Sequence, residues 1–169
     1  HAVLEFRYEQ KRQKQRHKKW GVFNHSVIDQ KHPLVVDINT QFDVPHSRWN
    51  KIDSQQFDAA GLKTLVTGDD GCTHLATSAD GFRTVFFQGH PEYDTISLLK
   101  EYKREVTRYI AGELMIYPPL PTGYFGVFES ALMREYESRV KLAKSNHSKI
   151  PIFPESLVLP KLNNTWHDT

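Results

Sequence analysis

The sequence predicts an α/β fold. Three observations carry that prediction: a series of short apolar runs separated by turn residues between Trp20 and Phe87, a long amphipathic segment after Asp94, and a His-Pro-Glu tripeptide at the end of the last short run. Short runs bounded by turns read as strands, and apolar residues at helical spacing read as a helix packed on a core.

Taken in order, Ala2, Val3, Leu4 and Phe6 suit an amphipathic helix that begins at the first residue without a cap. Strands are expected at Trp20 to Ile28, Pro33 to Ile38, Phe42 to Val44, Leu62 to Val66, His74 to Thr77 and Thr84 to Phe87, with a short helix at Asp53 to Ala60. Ala79-Asp80-Gly81 reads as a hairpin turn, because Asp and Gly tolerate positive φ. Asp94 or Thr95 is placed to cap a helix to about Gly112, with Ile96, Leu99, Val106, Tyr109 and Ile110 along one face. The prolines between Tyr117 and Gly123 exclude helix interior and central strand, so that segment is an irregular crossing. A charged helix is expected at Glu129 to Ser145, followed by a Pro- and Asn-rich tail from Lys149 to Thr169 that wraps an existing surface.

At 169 residues the chain has the length of one globular domain, and 38% hydrophobic residues suffice for its core. No apolar stretch approaches the ~20 residues of a membrane span, and the start lacks the charged-then-apolar layout of a signal peptide. A lone Cys72 cannot form an internal disulfide, which fits a reducing cytoplasm, and the nine histidines show no zinc-ligand spacing with it. No metal is therefore expected. The net charge of +2 argues against a polyanion binder. Charge is concentrated in Lys11 to Lys19, which reads as a solvated loop between a helix and a strand, with a phosphate site as the other reading. Few aromatic residues are interleaved there to stack bases, so nucleic acid is not an expected partner, and the lack of an apolar span means that no membrane is expected either.

His90-Pro91-Glu92 carries the chemistry. An imidazole needs a partner on one ring nitrogen to fix its tautomer, and a carboxylate two positions on supplies it if the backbone bends between them. Gly89 and Pro91 are suited to that bend. A strand ending in this way presents both side chains at a sheet edge, where α/β enzymes place their chemistry; a capped turn with a surface His and Glu is the plainer reading.

The stretch Phe87-Gln88-Gly89-His90-Pro91-Glu92-Tyr93-Asp94, followed by Glu101-Tyr102-Lys103-Arg104, resembles the homoserine O-acyltransferase family, the O-succinyl- and O-acetyltransferases with a class I glutamine-amidotransferase-like fold. Trp20-Gly21-Val22-Phe23-Asn24-His25, His32-Pro33-Leu34, Val44-Pro45-His46-Ser47-Arg48-Trp49, Pro121-Thr122-Gly123-Tyr124-Phe125 and Asn164-Thr165-Trp166 agree with it, in family order. The resemblance implies the C-terminal part of a flavodoxin-like three-layer fold, with residues 1–125 belonging to the acyltransferase domain and 126–169 forming a helical insertion and tail. It also implies that His90 is the general base, that Glu92 holds it, and that Lys18, Ser47 and Arg104 contact substrate. Lys18 would neutralise negative charge, Ser47 would hydrogen-bond the substrate, and Arg104 would offer a planar fork to an amino-acid carboxylate. Helical spacing alone places Arg104 off the apolar stripe, on the surface.

The family nucleophile is a cysteine in a strand-to-helix elbow, which the resemblance places shortly before His1. Cys72, after Asp69-Asp70-Gly71, lacks that context and reads as structural. The chain is thus expected to be the C-terminal portion of a larger enzyme, inactive alone, with the N-terminal segment as partner and a homodimer as assembly. Glu9-Gln10-Lys11-Arg12 replaces the Gly-Ile-Pro-Lys turn of members, and Glu129 to Ser145 is longer than their connection; both bear on the acceptor and the oligomer interface. The implied reaction is ping-pong acyl transfer from acetyl-CoA or succinyl-CoA, through an enzyme thioester, to the hydroxyl of homoserine or serine, with no permanently bound cofactor. Glutamine amidotransfer on the same Cys-His-Glu arrangement and a non-catalytic anion-binding domain are the alternatives.

Overall fold

The computed structural model describes residues 2–166. It is an α/β fold with an antiparallel sheet and accompanying helices, consistent with a class I glutamine-amidotransferase-like architecture. The chain divides into two compact units, one of residues up to Glu92 with the C-terminal end from Thr165, the other Tyr93–Asn164.

The first unit holds α1 (Ala2–Tyr8), β1 (Gln13–Val27), β2 (Gln41–Lys51), α2 (Ser54–Ala59), β3 (Lys63–Gly68), β4 (Thr73–Thr77) and β5 (Val85–Phe87). The five strands form one sheet in the order β2-β1-β3-β4-β5, and every pairing is antiparallel. Its apolar residues close two clusters, one of Leu4, Ile52, Phe57, Leu62, Ala76 and Phe86, the other of Val27, Val35, Leu65, Val66 and Leu75. α1 buries Leu4 in the first cluster and packs Tyr8 against it, while Val3 and Phe6 are exposed, so the amphipathic reading of that helix holds for Leu4 and not for Val3 or Phe6. Its expected start at His1 lies outside the described residues. In α2 the Gln56 side chain accepts from the Asp53 N–H at 3.1 Å, satisfying a donor that the helix leaves open.

Two expectations are corrected here. Residues 13–19 of the basic run are strand, not loop, because β1 pairs β2 as far out as Gln13 opposite Lys51, across a bulge between Lys14 and Lys19. Side chains on this arm are exposed or half-buried, so backbone pairing builds a strand that apolar alternation cannot report. Pro33 to Ile38 is a chain of turns, not a strand. His32 N–H donates to Asp29, Val35 N–H to His32 and Ile38 N–H to Val35, and only Val35 of the central apolar residues is buried. Between β4 and β5 the expected hairpin turn forms, with Gly81 at φ 88°. Asp80 Oδ1 accepts from the Ser78 hydroxyl and from the Phe82 and Arg83 N–H groups; the hydroxyl bond first, then the two amides, hold its carboxyl down at about 2.

The second unit holds α3 (Ser97–Ile110), α4 (Val127–Ser145), α5 (Glu155–Val158) and a 3-10 turn at Leu159–Lys161. α3 begins later than Asp94 or Thr95 would place it, since Ser97 N–H is spent on a turn to Asp94 and no side chain caps the first turn. Leu98, Leu99, Tyr102 and Val106 are its buried face, and Arg104 is exposed as its spacing predicts. α4 buries Glu129, Met133, Tyr136, Val140 and Ala143, spaced by three or four residues. The crossing at 117–123 has no helix, and Tyr124 beyond it anchors by donating to the Thr95 carbonyl at 2.5 Å. Among the described residues no helix is long and apolar enough to cross a membrane.

Candidate active site

The site grows from the end of β5. Gln88 is buried, and its side-chain amide donates to the carbonyls of Ile52 (3.0 Å) and Thr73 (2.6 Å) while its oxygen accepts from the Ile52 N–H (3.1 Å) and from Arg48 Nη1 (3.3 Å). Buried polar groups need such partners, and these tie the end of β5 to β4 and to the segment after β2. Three consecutive backbone donors then find three acceptors. Gln88 N–H donates to the His74 carbonyl at 2.9 Å, Gly89 N–H to His74 Nδ1 at 3.2 Å, and His90 N–H to the Pro45 carbonyl at 2.8 Å. β2 and β5 are opposite edges of the sheet, so the sheet curls until the chain leaving one edge is bonded to the other.

His90 emerges from this anchored segment, and Glu92 folds back on it. Glu92 Oε1 lies 2.8 Å from His90 Nδ1, with 32% of the imidazole and 67% of the carboxylate side chain exposed. With Glu92 ionised, Nδ1–H is the donor and Nε2 keeps its lone pair. A neutral imidazole held in this way can accept a proton at Nε2.

Ser47 lies on β2 two positions beyond Pro45, opposite Trp20 on β1. Lys18 lies two positions before Trp20, at the bulge, with Nζ 4.2 Å from the centre of the Trp20 ring. A cation over an indole face is attracted electrostatically, so Lys18 is a strand residue with its ammonium group on the Trp20 ring. The structure therefore gathers Lys18 and Ser47 on the β1–β2 ribbon to which His90 is bonded. Arg104 stands in the other unit, exposed on α3, with Nε 3.4 Å from Glu105 Oε1. Cys72 is half-buried in the turn between β3 and β4, where its N–H donates to Asp70 Oδ1 and its carbonyl accepts from Gly68 N–H. A strand follows it, not a helix, as its sequence context implies.

Three histidines that look scattered in sequence meet inside the sheet. His25 on β1, His46 on β2 and His74 on β4 are 1%, 1% and 3% exposed, and their donor atoms fall within 4.8 Å of one another. His25 Nδ1 is 2.8 Å from the Phe23 carbonyl and must donate to it. His25 Nε2 therefore accepts from His46 Nε2–H, 3.1 Å away. All three are held neutral: burial pushes His25 and His46 down, and it takes His74 down to about 3, with the charges of Lys19 and Arg48 acting in the same sense on His46 and His74. Three neutral imidazoles are a chemically suitable set for a divalent metal. Here, however, the His25–His46 contact shares a proton, His74 Nδ1 already accepts from Gly89, and the nearby Lys19 and Arg48 oppose a further cation. No spacing rule reveals this cluster, because its members sit on three different strands. The sequence signal that does bear on it is period two: if Ser47 faces the ribbon's outer side, His46 must face inward.

A curled antiparallel sheet whose exit turn carries a His–Glu pair is consistent with the class I glutamine-amidotransferase-like enzymes, which do acyl chemistry with such a pair. Comparison with known proteins narrows the class. The family model for homoserine O-succinyltransferase matches residues 1–169. Over all 169 residues the chain is 55% identical to the homoserine O-succinyltransferase of Allochromatium vinosum, 53% to that of Thiobacillus denitrificans and 52% to that of Nitrosococcus oceani, covering 47% of each relative. The chain belongs to the homoserine O-succinyltransferase family, and it spans about half the length of the curated relatives it matches.

Proposed function

We propose that this chain supplies the general base of an acyl-CoA-dependent O-acyltransferase that succinylates the hydroxyl of homoserine. The observation that carries the proposal is the 2.8 Å hydrogen bond between His90 Nδ1 and Glu92, on a turn anchored to two strands. Succinyl-CoA and homoserine are taken from the names of the family and its relatives. Lys18 and Ser47 are proposed as substrate contacts on the β1–β2 ribbon, and Arg104 as the fork for the amino acid's carboxylate.

In the proposed reaction His90 Nε2 takes the proton of a thiol, and the thiolate attacks the carbonyl carbon of the acyl-CoA thioester. Coenzyme A leaves as a thiolate and takes the proton from the imidazolium. His90 Nε2 then removes the homoserine hydroxyl proton, the oxygen attacks the enzyme thioester, and the enzyme sulfur leaves, recovering that proton as the O-acyl ester forms. Glu92 stabilises the imidazolium in both half-reactions. Cys72 does not fit the thiol's role, because its turn joins two strands and not a strand to a helix. The nucleophile is proposed to come from the part of the whole protein that these residues do not include.

The test is coenzyme A release by the full-length protein, with succinyl-CoA, acetyl-CoA and glutamine as separate substrates, with and without homoserine. Homoserine-dependent release from succinyl-CoA is expected. Since general-base assistance is worth ~10²–10⁴ in rate, His90→Ala is expected to lose that factor. Ammonia release from glutamine, or full turnover by His90→Ala, overturns the proposal.

A further inference from the structure

The turn that carries His90 is held by a side chain where a strand would use its backbone. β5 ends its ladder when Gln88 N–H takes the His74 carbonyl. The next donor, Gly89 N–H, is buried, and a buried N–H without an acceptor is costly. It is met by Nδ1 of the same residue, 3.2 Å away, so His74 grips two successive amides, one with its carbonyl and one with its ring. The following donor, on His90, crosses to Pro45.

Space around the turn leaves no slack. A Cβ on Gly89 would stand 2.4 Å from Val44 Cγ1, 2.9 Å from His74 Nδ1 and 3.0 Å from His46 Cε1. The His74 ring is in turn packed edge-on against His25 and His46, with centroids 5.1 Å and 6.0 Å away. Those two rings cannot rotate freely, since His25 is fixed to the Phe23 carbonyl and His46 to His25. Accepting at Nδ1 makes His74 the Nε2–H tautomer, and only a neutral ring can accept at all.

We propose that His74 is a positioning residue for the proposed base: its Nδ1 latches the Gly89 amide and so aims the His90 ring, while the His25–His46 pair braces the latch from beneath. The proposal rests on the functional reading above. A general base displaced by about 1 Å loses up to ~10² in rate, so the latch is expected to act on turnover and not on substrate binding.

The experiment compares His74→Phe, which keeps a ring but has no acceptor, with His74→Asn, whose Oδ1 takes the place of Nδ1, in the full-length protein. His74→Phe is expected to lower kcat by ~10- to 100-fold with KM within about twofold, and His74→Asn to recover most of it. A second readout needs no turnover: hydrogen exchange of the Gly89 amide is slow in the wild type and in His74→Asn, and fast in His74→Phe. Equal kcat and equal Gly89 protection in wild type and His74→Phe overturn the latch, as does failure of His74→Asn to restore either. Binding of one zinc ion per chain by the wild-type protein, abolished by His46→Ala, also overturns it by assigning the three rings to a metal. If the wild type shows no acyl transfer, the functional reading falls, and Gly89 exchange still decides the latch.

Discussion

A carboxylate on Nδ1 decides what His90 offers at Nε2. With Glu92 in place, the imidazole presents a lone pair outward and gains a counter-charge once it is protonated. Glu92→Gln keeps the shape and removes the charge, and an amide can accept from Nδ1–H or donate to the other tautomer. Turnover is expected to fall at least ~10-fold while the thermal midpoint stays unchanged, because the Glu92 side chain is 67% exposed. Unchanged turnover in acyl-transfer assays removes Glu92 from its role. Gly89 is constrained differently, by space and not by backbone conformation. Gly89→Ala must move Val44 or lift the turn off β4. A stability loss of about 1–3 kcal/mol in urea unfolding is expected from such overpacking, with turnover falling at least as far as in His74→Phe. A wild-type Gly89→Ala variant disproves the tight seat.

At the scale of elements, Gln88 explains why so short a strand as β5 ends in a fixed place. One amide serves Ile52 on both its N–H and its carbonyl, and reaches Thr73 and Arg48 as well. Gln88→Leu leaves buried partners unmet, at a cost of at least about 2 kcal/mol, read as a lower urea midpoint; a shift below about 0.5 kcal/mol is the contrary outcome. This residue also marks the limit of the sequence. The strands rich in apolar residues, the helix before Gly112 and the His-Pro-Glu turn were legible, because each is written locally in periodicity or turn chemistry. The outer arm of β1 was not, since Gln13 to Lys19 pair through their backbone and carry polar side chains. Pro33 to Ile38 misled for the opposite reason, as four apolar residues in a row serve to bury one, Val35, under a turn. Within the site, Glu92 beside His90 was legible from a spacing of two. The imidazole cluster was invisible, because residues 25, 46 and 74 are brought together by strand order and register alone.

For the molecule as a whole, the net charge of +2 hides an interior kept free of protons. His25, His46 and His74 are neutral where they lie. Facing them are Lys19 from β1, Arg48 from β2, Asp69 and Asp70 from the turn after β3, and His90 from the turn after β5. Lys19 is paired with Asp70 at 2.7 Å, so much of the local charge is already balanced. In the unfolded chain each imidazole binds a proton below its ordinary value of 6.5, whereas in the fold His74 does so only near 3 and the other two are shifted in the same direction. Between those limits the unfolded state holds more protons, and stability therefore rises with pH. The contribution is complete above about pH 6.5 and is lost progressively as the pH falls toward 3. A group protonated in the unfolded chain and neutral in the fold adds a slope of up to ~1.4 kcal/mol per pH unit. Asp70 adds to the loss only at the acid end: burial raises its pKa, but the Lys19 hydrogen bond and charge outweigh this and hold it below the ordinary 3.8. The urea midpoint of the full-length protein is accordingly expected to be flat from pH 8 to 7 and to drop from pH 6.5 to 5. His74→Asn removes one of the three protonatable rings without removing the acceptor, so its midpoint is expected to fall less steeply over the same interval. A midpoint that stays level from pH 7 to 5 shows that these rings are not sealed from protons, and the neutral, braced interior argued for His74 fails with it.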